Sequence, residues 1–299
     1  MSAASIPVVN GRVPCPCGSG RRYKACHGRR GAEIPPNPRP FAGHPSEPDI
    51  VALRELVPSA TAPLPVSGER EVVLGTALPL ALPALVRASG SVLVALQTPA
   101  RSNDPGRDVA QAIEAGLAAA PSTNIDGLAA PGPGPSFTDL AGATPLDVTV
   151  HDGFDWWIEN VDGLGEDEAA ALEQANSQVV PTVRLMSVEA AYWCRIGERA
   201  HLRWALPQEE DPLLDAFARL HHARSFDLGS DTRFVGAFRA CGLLIPVWDL
   251  PAGREADDVE VSASALGSRL GEALAEKMPL SADERASRAG IVSRQLTIR

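Results

Sequence analysis

Cys15, Cys17, Cys26 and His27 place three thiols and one imidazole within thirteen positions of the chain. The spacing is Cys-x-Cys, eight residues, then Cys-His, and three thiolates with one imidazole form a usual ligand set for a closed tetrahedral zinc site. Gly18-Ser19-Gly20 supply the backbone freedom that lets Cys15 and Cys17 converge on one ion. A segment this short cannot bury a core, so the metal must supply its folding free energy, on the order of 10 kcal/mol in zinc-finger peptides. All four positions are filled by protein and none is left for water, so the expected Zn2+ is structural. The competing chemistry is a disulfide with a spare thiol. Five cysteines in 299 residues leave one unpaired and are too few for a secreted scaffold. The first fourteen residues also hold no apolar run long enough for a secretory signal. Cys194 and Cys241 lie in apolar, strand-like stretches and are expected to be buried free thiols.

The run Cys15-Pro-Cys17-Gly18-Ser19-Gly20-Arg-Arg-Tyr23-Lys24-Ala-Cys26-His27-Gly28 resembles the SEC-C motif, the zinc-binding module at the C-terminal end of the SecA translocation ATPases. The likeness extends through the intervening Gly-Ser-Gly and Tyr-Lys as well as the ligands, over about a tenth of the chain. It implies zinc ligation by Cys15, Cys17, Cys26 and His27. It also implies a docking role, since the SecA module docks the chaperone SecB and associates with ribosomes and membrane lipid.

Charge changes at the end of this segment. Residues 1–32 carry Arg12, Arg21, Arg22, Lys24, Arg29 and Arg30 with no Asp or Glu, a balance of +6; the whole chain carries −10, which leaves −16 for residues 33–299. A basic knob on an acidic body suits an acidic partner, either a protein face or ribosomal RNA, and Arg21, Arg22, Tyr23 and Lys24 are the expected partner-binding residues. The bland alternative is that these charges only keep the knob soluble. Pro35, Pro36, Pro38, Pro40, Pro45 and Pro48 then predict an extended proline-rich linker over 31–48 between the module at 1–30 and a body at 49–299.

The chain as a whole is 44% hydrophobic and 21% charged, and from about residue 49 it has the balance of a globular protein. Its most apolar stretch, Val72 to Val86, is too short and too proline-broken for a membrane span and predicts buried strands. Ser89-Gly90 and Gly197-Glu198 each sit between apolar runs and predict hairpins, the second with Tyr192, Cys194 and Ile196 alternating against Trp193 and Arg195. Asp104-Pro105 and Asp211-Pro212 each predict a helix with Asp as cap and Pro at its first position. Gly90 to Gly197 and Asp104 to Asp211 are both 107 residues apart. Further strand pairs are expected over Val148 to Ile158 around Asp152-Gly153, and over Phe234 to Leu250 around Cys241-Gly242. The expected body is therefore two pseudo-repeated β-β-α-β-β halves, 49–145 and 146–299, with repeated turn signals alone as the alternative explanation. A helix over Ala263 to Met278 and a tail over 279–299 with Arg285, Arg288, Arg294 and Arg299 complete the reading.

Phe41-Ala-Gly, Ala190-Ala-Tyr-Trp-Cys, Gly242-Leu-Leu-Ile-Pro-Val-Trp-Asp-Leu-Pro and Pro279-Leu-Ser-Ala-Asp-Glu-Arg are similar to an actinobacterial family of cytosolic proteins of unknown function that carry an N-terminal SEC-C motif. That resemblance covers nearly the whole chain and implies a domain plan without an activity. The body holds no phosphate loop, nucleophile elbow, dinucleotide fingerprint or His-Glu-x-x-His. Its best constellation is His151-Asp152-Gly153-Phe154-Asp155-Trp156-Trp157 with Glu159 and Asp162, which offers a His/carboxylate pair for acid-base work or, more simply, a turn with core tryptophans. His221-His222 point about 100° apart on a helix and cannot chelate one ion. Trp156, Trp157, Trp193, Trp204 and Trp248 either line a cleft between the halves or fill a core.

The expectation is a cytoplasmic, non-enzymatic, zinc-binding adaptor that docks to a protein or ribosome- or translocation-linked partner through its module. The alternatives are an enzyme or small-ligand binder with a cleft around His151, Asp152 and Asp155, and an RNA-binding regulator using the basic knob and the tail arginines.

Overall fold

The computed structural model describes residues 12–14, 22, 35–160 and 163–293. The four expected zinc ligands, together with Arg21, Tyr23, Lys24, Asp162, Arg294 and Arg299, lie outside the described residues.

Turn chemistry sets the first elements. The loop holding Gly90, at φ +91, joins β3 (Ala84–Val86) to β4 (Val92–Ala95) in an antiparallel pair. Gly197, at φ +62, opens the two-residue turn between β8 (Ala191–Ile196) and β9 (Arg199–Trp204). Cys241 and Gly242, at φ +45 and +80, make the turn between β10 (Arg233–Ala240) and β11 (Leu243–Leu250), where positive φ at both central residues matches strand twist. These three hairpins stand where the sequence places them.

Two sheets result. β1 (Ala60–Leu64), β2 (Val72–Gly75), β3, β4, β5 (Thr123–Ile125) and β6 (Thr149–Val150) lie in the order β5-β3-β4-β2-β1-β6, with β2 and β4 parallel. β7 (Thr182–Arg184) with β8 to β11 forms an antiparallel sheet in the order β10-β11-β9-β8-β7. Both sheets contain a hairpin followed by a helix. In the first, the next strand adds beside β3; in the second, the next pair adds beside β9. The pairing after the helix is thus different in the two sheets.

The helices are α1 (Glu47–Glu55), α2 (Pro105–Ala118), α3 (Phe137–Ala141), α4 (Glu166–Asn176), α5 (Glu210–His222), α6 (Glu260–Ala275) and α7 (Ala282–Ser293). Asp104 caps α2 as expected, accepting from Gly106 N at 2.9 Å and Arg107 N at 3.2 Å. Asp211 does not cap α5. That helix begins at Glu210, which puts Pro212 third in the first turn, where its missing N–H is still no loss, and the Asp211 carboxylate pairs with Arg288 of α7. The stretch from 282 to 293 is helix and not tail: Ser281 and Glu284 exchange backbone N–H bonds of 3.2 and 2.7 Å in a capping box, and Ile291 is buried.

One core gathers α1, α2, a face of the first sheet and a face of the second, with Phe41, Ile50, Leu53, Leu74, Ile113, Tyr192 and Ile245 fully buried or nearly so. A second core packs the other face of the second sheet on α5, α6 and α7 through Trp193, Trp248, Phe217 and Leu266. Tyr192 and Trp193 are therefore both buried, because both faces of that sheet are covered, and the half-buried alternation expected of β8 does not hold. Asp49 of α1 joins the parts: Arg184 grips both its oxygens at 2.9 Å and the buried Tyr192 hydroxyl donates to it at 2.6 Å.

The proline-rich stretch expected as a free spacer is, from Asn37 onward, fixed to the body. Arg39 forks onto Glu47 at 2.6 and 2.9 Å and reaches Glu209 and Pro207 O, Phe41 is fully buried edge-on to Phe137, and Pro48 lies inside α1. An added Cβ at Gly242 would lie 2.7 Å from Pro38 O, so the β10–β11 turn and this segment touch through backbone.

Candidate functional site

Of the N-terminal module, the described residues show Pro14 and Arg22 in an isolated antiparallel bridge, with the Arg22 side chain exposed. The donor set in the sequence of this segment, three thiols and one imidazole with no carboxylate, fits Zn2+ and disfavours the hard cations. Among the described residues no group of three or more His, Cys, Asp or Glu side chains converges to hold a metal.

The remaining cysteines differ from one another. Cys194 is buried in β8 and burial raises its pKa. Cys241 is half-buried at the β10–β11 turn, not fully buried as expected. Burial first, and then the Glu55 carboxylate 3.8 Å from its Sγ, push its pKa to about 12. Both are neutral thiols near pH 7, the form that neither attacks nor binds metal.

The His151 constellation is engaged in holding the chain together. After β6 the backbone does not form the expected strand pair; residues 155–157 make a 3-10 turn over the outer face of the first sheet. The indole N–H groups explain this. Trp156 donates to Ser59 Oγ at 2.9 Å and Trp157 to Ala77 O at 2.8 Å, so both rings lie on the sheet instead of extending a ladder. Gly75 leaves room for Trp156, whose Cζ3 would stand 2.7 Å from an added Cβ. Ser59 Oγ donates to Gly153 O at 2.6 Å, and Phe154 N donates to Asn176 Oδ1 at 2.6 Å. His151 Nε2 is 2.8 Å from Thr61 Oγ1, so its partner is a hydroxyl and not a carboxylate. Burial lowers the His151 pKa against an opposing pull from Asp152. Glu159 accepts from Ala88 N and Ser89 N in the β3–β4 turn at 2.8 and 3.3 Å, and the Ser89 side chain first, with those backbone bonds after it, lowers its pKa. Asp152 and Asp155 are exposed.

The five tryptophans do not share a cleft. Trp156 and Trp157 belong to the cluster with Leu78, Leu82 and Leu93 on the first sheet, whereas Trp193, Trp204 and Trp248 belong to the second sheet's core. The second set is also satisfied by backbone: their N–H groups donate to Arg254 O, Glu189 O and Phe226 O at 2.9 to 3.0 Å.

Two arrangements were not visible in the sequence. The register of β9 with β11 sets His201 opposite Asp249, with Nδ1 3.0 Å from Oδ1, while Arg233 holds Oδ2 at 2.9 Å. His221 and His222, unsuited to chelation, both line a cavity of about 430 Å³ with Arg224, Arg233 and Ser287, which come from the α5 end, β10 and α7. No local sequence signal marks either, since each depends on segments brought together from a distance. Among the described residues no helix is long and apolar enough to cross a membrane.

Residues 13–29 match the SEC-C motif. The same region is similar to the protein translocase subunit SecA of Myxococcus xanthus, 58% identical over 33 residues that make up 11% of this chain and 4% of the relative. It is also similar to SecA of Paraburkholderia xenovorans, 59% identical over 29 residues, 10% of this chain and 3% of the relative. The chain thus spans only a few per cent of the curated relatives it matches. No solved structure matches. Residues 40–299 match a different family along their whole extent, beginning at the proline that precedes buried Phe41 and running through both sheets and α7. By that match the chain belongs to DUF5926, a family of unknown function, here joined to a SEC-C motif.

Proposed function

We propose that this protein is a cytoplasmic, non-enzymatic adaptor in which a zinc-stabilised N-terminal module docks a partner and the acidic body is what it brings there. The observation that carries this reading is the match of residues 13–29 to the SEC-C motif, a range that contains Cys15, Cys17, Cys26 and His27. In this reading Cys15, Cys17, Cys26 and His27 hold one Zn2+, and Arg21, Arg22, Tyr23 and Lys24 present charge and one aromatic ring to a protein or ribosomal face. The likeness to SecA supports a protein-docking role. The engagement of the His151 loop in structural hydrogen bonds removes the main reason to assign that loop a reaction. The domain plan that goes with this is a module at 1–30, a connection, and a body through residue 299.

The test is affinity purification from native lysate with wild type and Cys26→Ser, after metal analysis of both. One zinc per chain in wild type, with ribosomal or secretory-pathway proteins lost selectively from the variant, is expected. Identical partners from both forms would sink the docking role and leave the zinc as a structural cap. Loss of captured RNA between about 50 and 200 mM salt would instead favour the RNA-binding alternative, since phosphate contacts weaken steeply with salt.

A further inference from the structure

The cavity at the C-terminal end of α5 plays no part in the adaptor reading, and its geometry begins with how that helix stops. Ala223 is the C-cap, Arg224 N donates to His221 O at 3.1 Å, and Ser225 N donates to Leu220 O at 2.9 Å. This is the Schellman pattern, whose first residue beyond the cap must take positive φ and is most often glycine. Here that residue is Arg224, at φ +54. The left-handed conformation is costly for a side chain with a Cβ. Arg224 forms no ion pair among the described residues that would offset it.

What Arg224 does is line the cavity of about 430 Å³ together with Arg233 from the start of β10, His221 and His222 from the last turn of α5, and Ser287 from α7. The floor includes Phe226 and Phe234, part of the aromatic core with Phe217 and Trp248. The negative end of the α5 dipole accounts for basic groups within its last turn. It does not account for Arg224, which follows the cap, or for Arg233, which belongs to another element and already spends one nitrogen on Asp249. Asp227 is the one carboxylate in the lining and Asp249 already pairs with Arg233, while Arg224, the two imidazoles and the Ser287 hydroxyl are set around the same space.

We propose that this cavity binds a small phosphate monoester, with the phosphate between Arg224 and Arg233, the His221 and His222 imidazoles and the Ser287 hydroxyl beside it, and an apolar or aromatic group against Phe226 and Phe234. The donors exceed what the two oxygens of a carboxylate can accept and suit the three terminal oxygens of a phosphate ester. The volume lies within the range of small-molecule sites.

The strained arginine makes the test discriminating. Glycine at position 224 satisfies the φ +54 backbone without penalty, so Arg224→Gly should melt at the same temperature as wild type or higher. Phenyl phosphate titrated calorimetrically into the full chain should bind saturably at one site. Arg224→Gly should weaken that binding at least about tenfold, the loss expected for one charge-assisted contact. Inorganic phosphate and phenol should each bind more weakly than the ester. Absence of saturable binding to wild type overturns the proposal, as does an isotherm that Arg224→Gly leaves unchanged. A lower melting temperature for Arg224→Gly shows that the arginine is there for structure and overturns it too. Inorganic phosphate binding as tightly as the ester refutes the role given to the aromatic floor.

Discussion

Asp49→Ala should be among the most damaging single polar substitutions in this protein, because it strikes a junction between α1 and the second sheet. The Asp49 side chain is 8% exposed and that of Arg184 22% exposed, and the carboxylate accepts both guanidinium bonds and the Tyr192 hydroxyl. Removing it leaves the Tyr192 hydroxyl buried without its acceptor, a cost of about 1–3 kcal/mol. Breaking a fully buried ion pair costs about 3–5 kcal/mol, but Arg184 retains enough exposure to recover part of its hydration, so the combined loss is about 3–4 kcal/mol. For a body of this size that lowers the melting temperature by roughly 6–16 °C. Burial, reinforced by the Asp49 carboxylate, holds the Tyr192 phenol well above its ordinary pKa, so it remains a donor wherever the protein is folded. Tyr192→Phe, which removes the donor and spares the ion pair, should cost only about 1–2 kcal/mol. Asp49→Leu with Arg184→Met, which removes both charges together, should be milder than Asp49→Ala alone. Thermal melts and urea titrations of the four proteins check this. An Asp49→Ala protein within about 1 kcal/mol of wild type would refute the reasoning, since a typical surface pair is worth no more than that.

Gly75→Ala should destabilise by about 1–3 kcal/mol through overpacking against the Trp156 ring, with a shift in tryptophan emission, and a neutral result would show that the 155–157 turn can lift off the sheet. Burial lowers the pKa of both His44 and His151, so the native protein keeps them neutral while the unfolded chain takes up protons. Their contribution is present above about pH 6.5 and is lost as pH falls from there toward the lower native values. Melting temperature should therefore drop between pH 7 and pH 5, and His44→Gln should flatten the slope; a profile level across that range would contradict the assignment. Cys241, with its pKa pushed to about 12, should react with a thiol-specific disulfide reagent far more slowly at pH 8 than a free cysteine does, and labelling at the free-cysteine rate would contradict the burial argument.

Local chemistry was legible in the sequence and long-range competition was not. Gly90, Gly197 and Cys241-Gly242 marked their hairpins because a turn's φ requirements are met by the residues within it. Asp104-Pro105 and Asp211-Pro212 look alike, yet only the first behaves as a cap, because Arg288, 77 positions away, claims the Asp211 carboxylate. The 148–158 strand pair failed for the same kind of reason: two indole N–H groups found better acceptors at Ser59 and Ala77 than a ladder would have provided. α7 was a local signal overlooked, since Ser281-x-x-Glu284 is the capping-box spacing. The proposed zinc ligand set rests on composition and spacing, whereas the α5-end cavity and the His201–Asp249 pair arise from register and packing.

Arg39 has one further consequence, in the mechanics of the N-terminal module. On the proposed domain plan, a free spacer over 31–48 would give the module a contour of about 60 Å; with the chain secured from Asn37 onward, the six residues 31–36 set the limit at about 20 Å. The anchorage point is specified as well, since Asn37 bonds to Asn103 O and to Asp104 at the start of α2. On the proposed docking role, a partner held by the module would stay within a short radius of that corner of the body, at a high effective concentration against its surface and with the opposite side out of range.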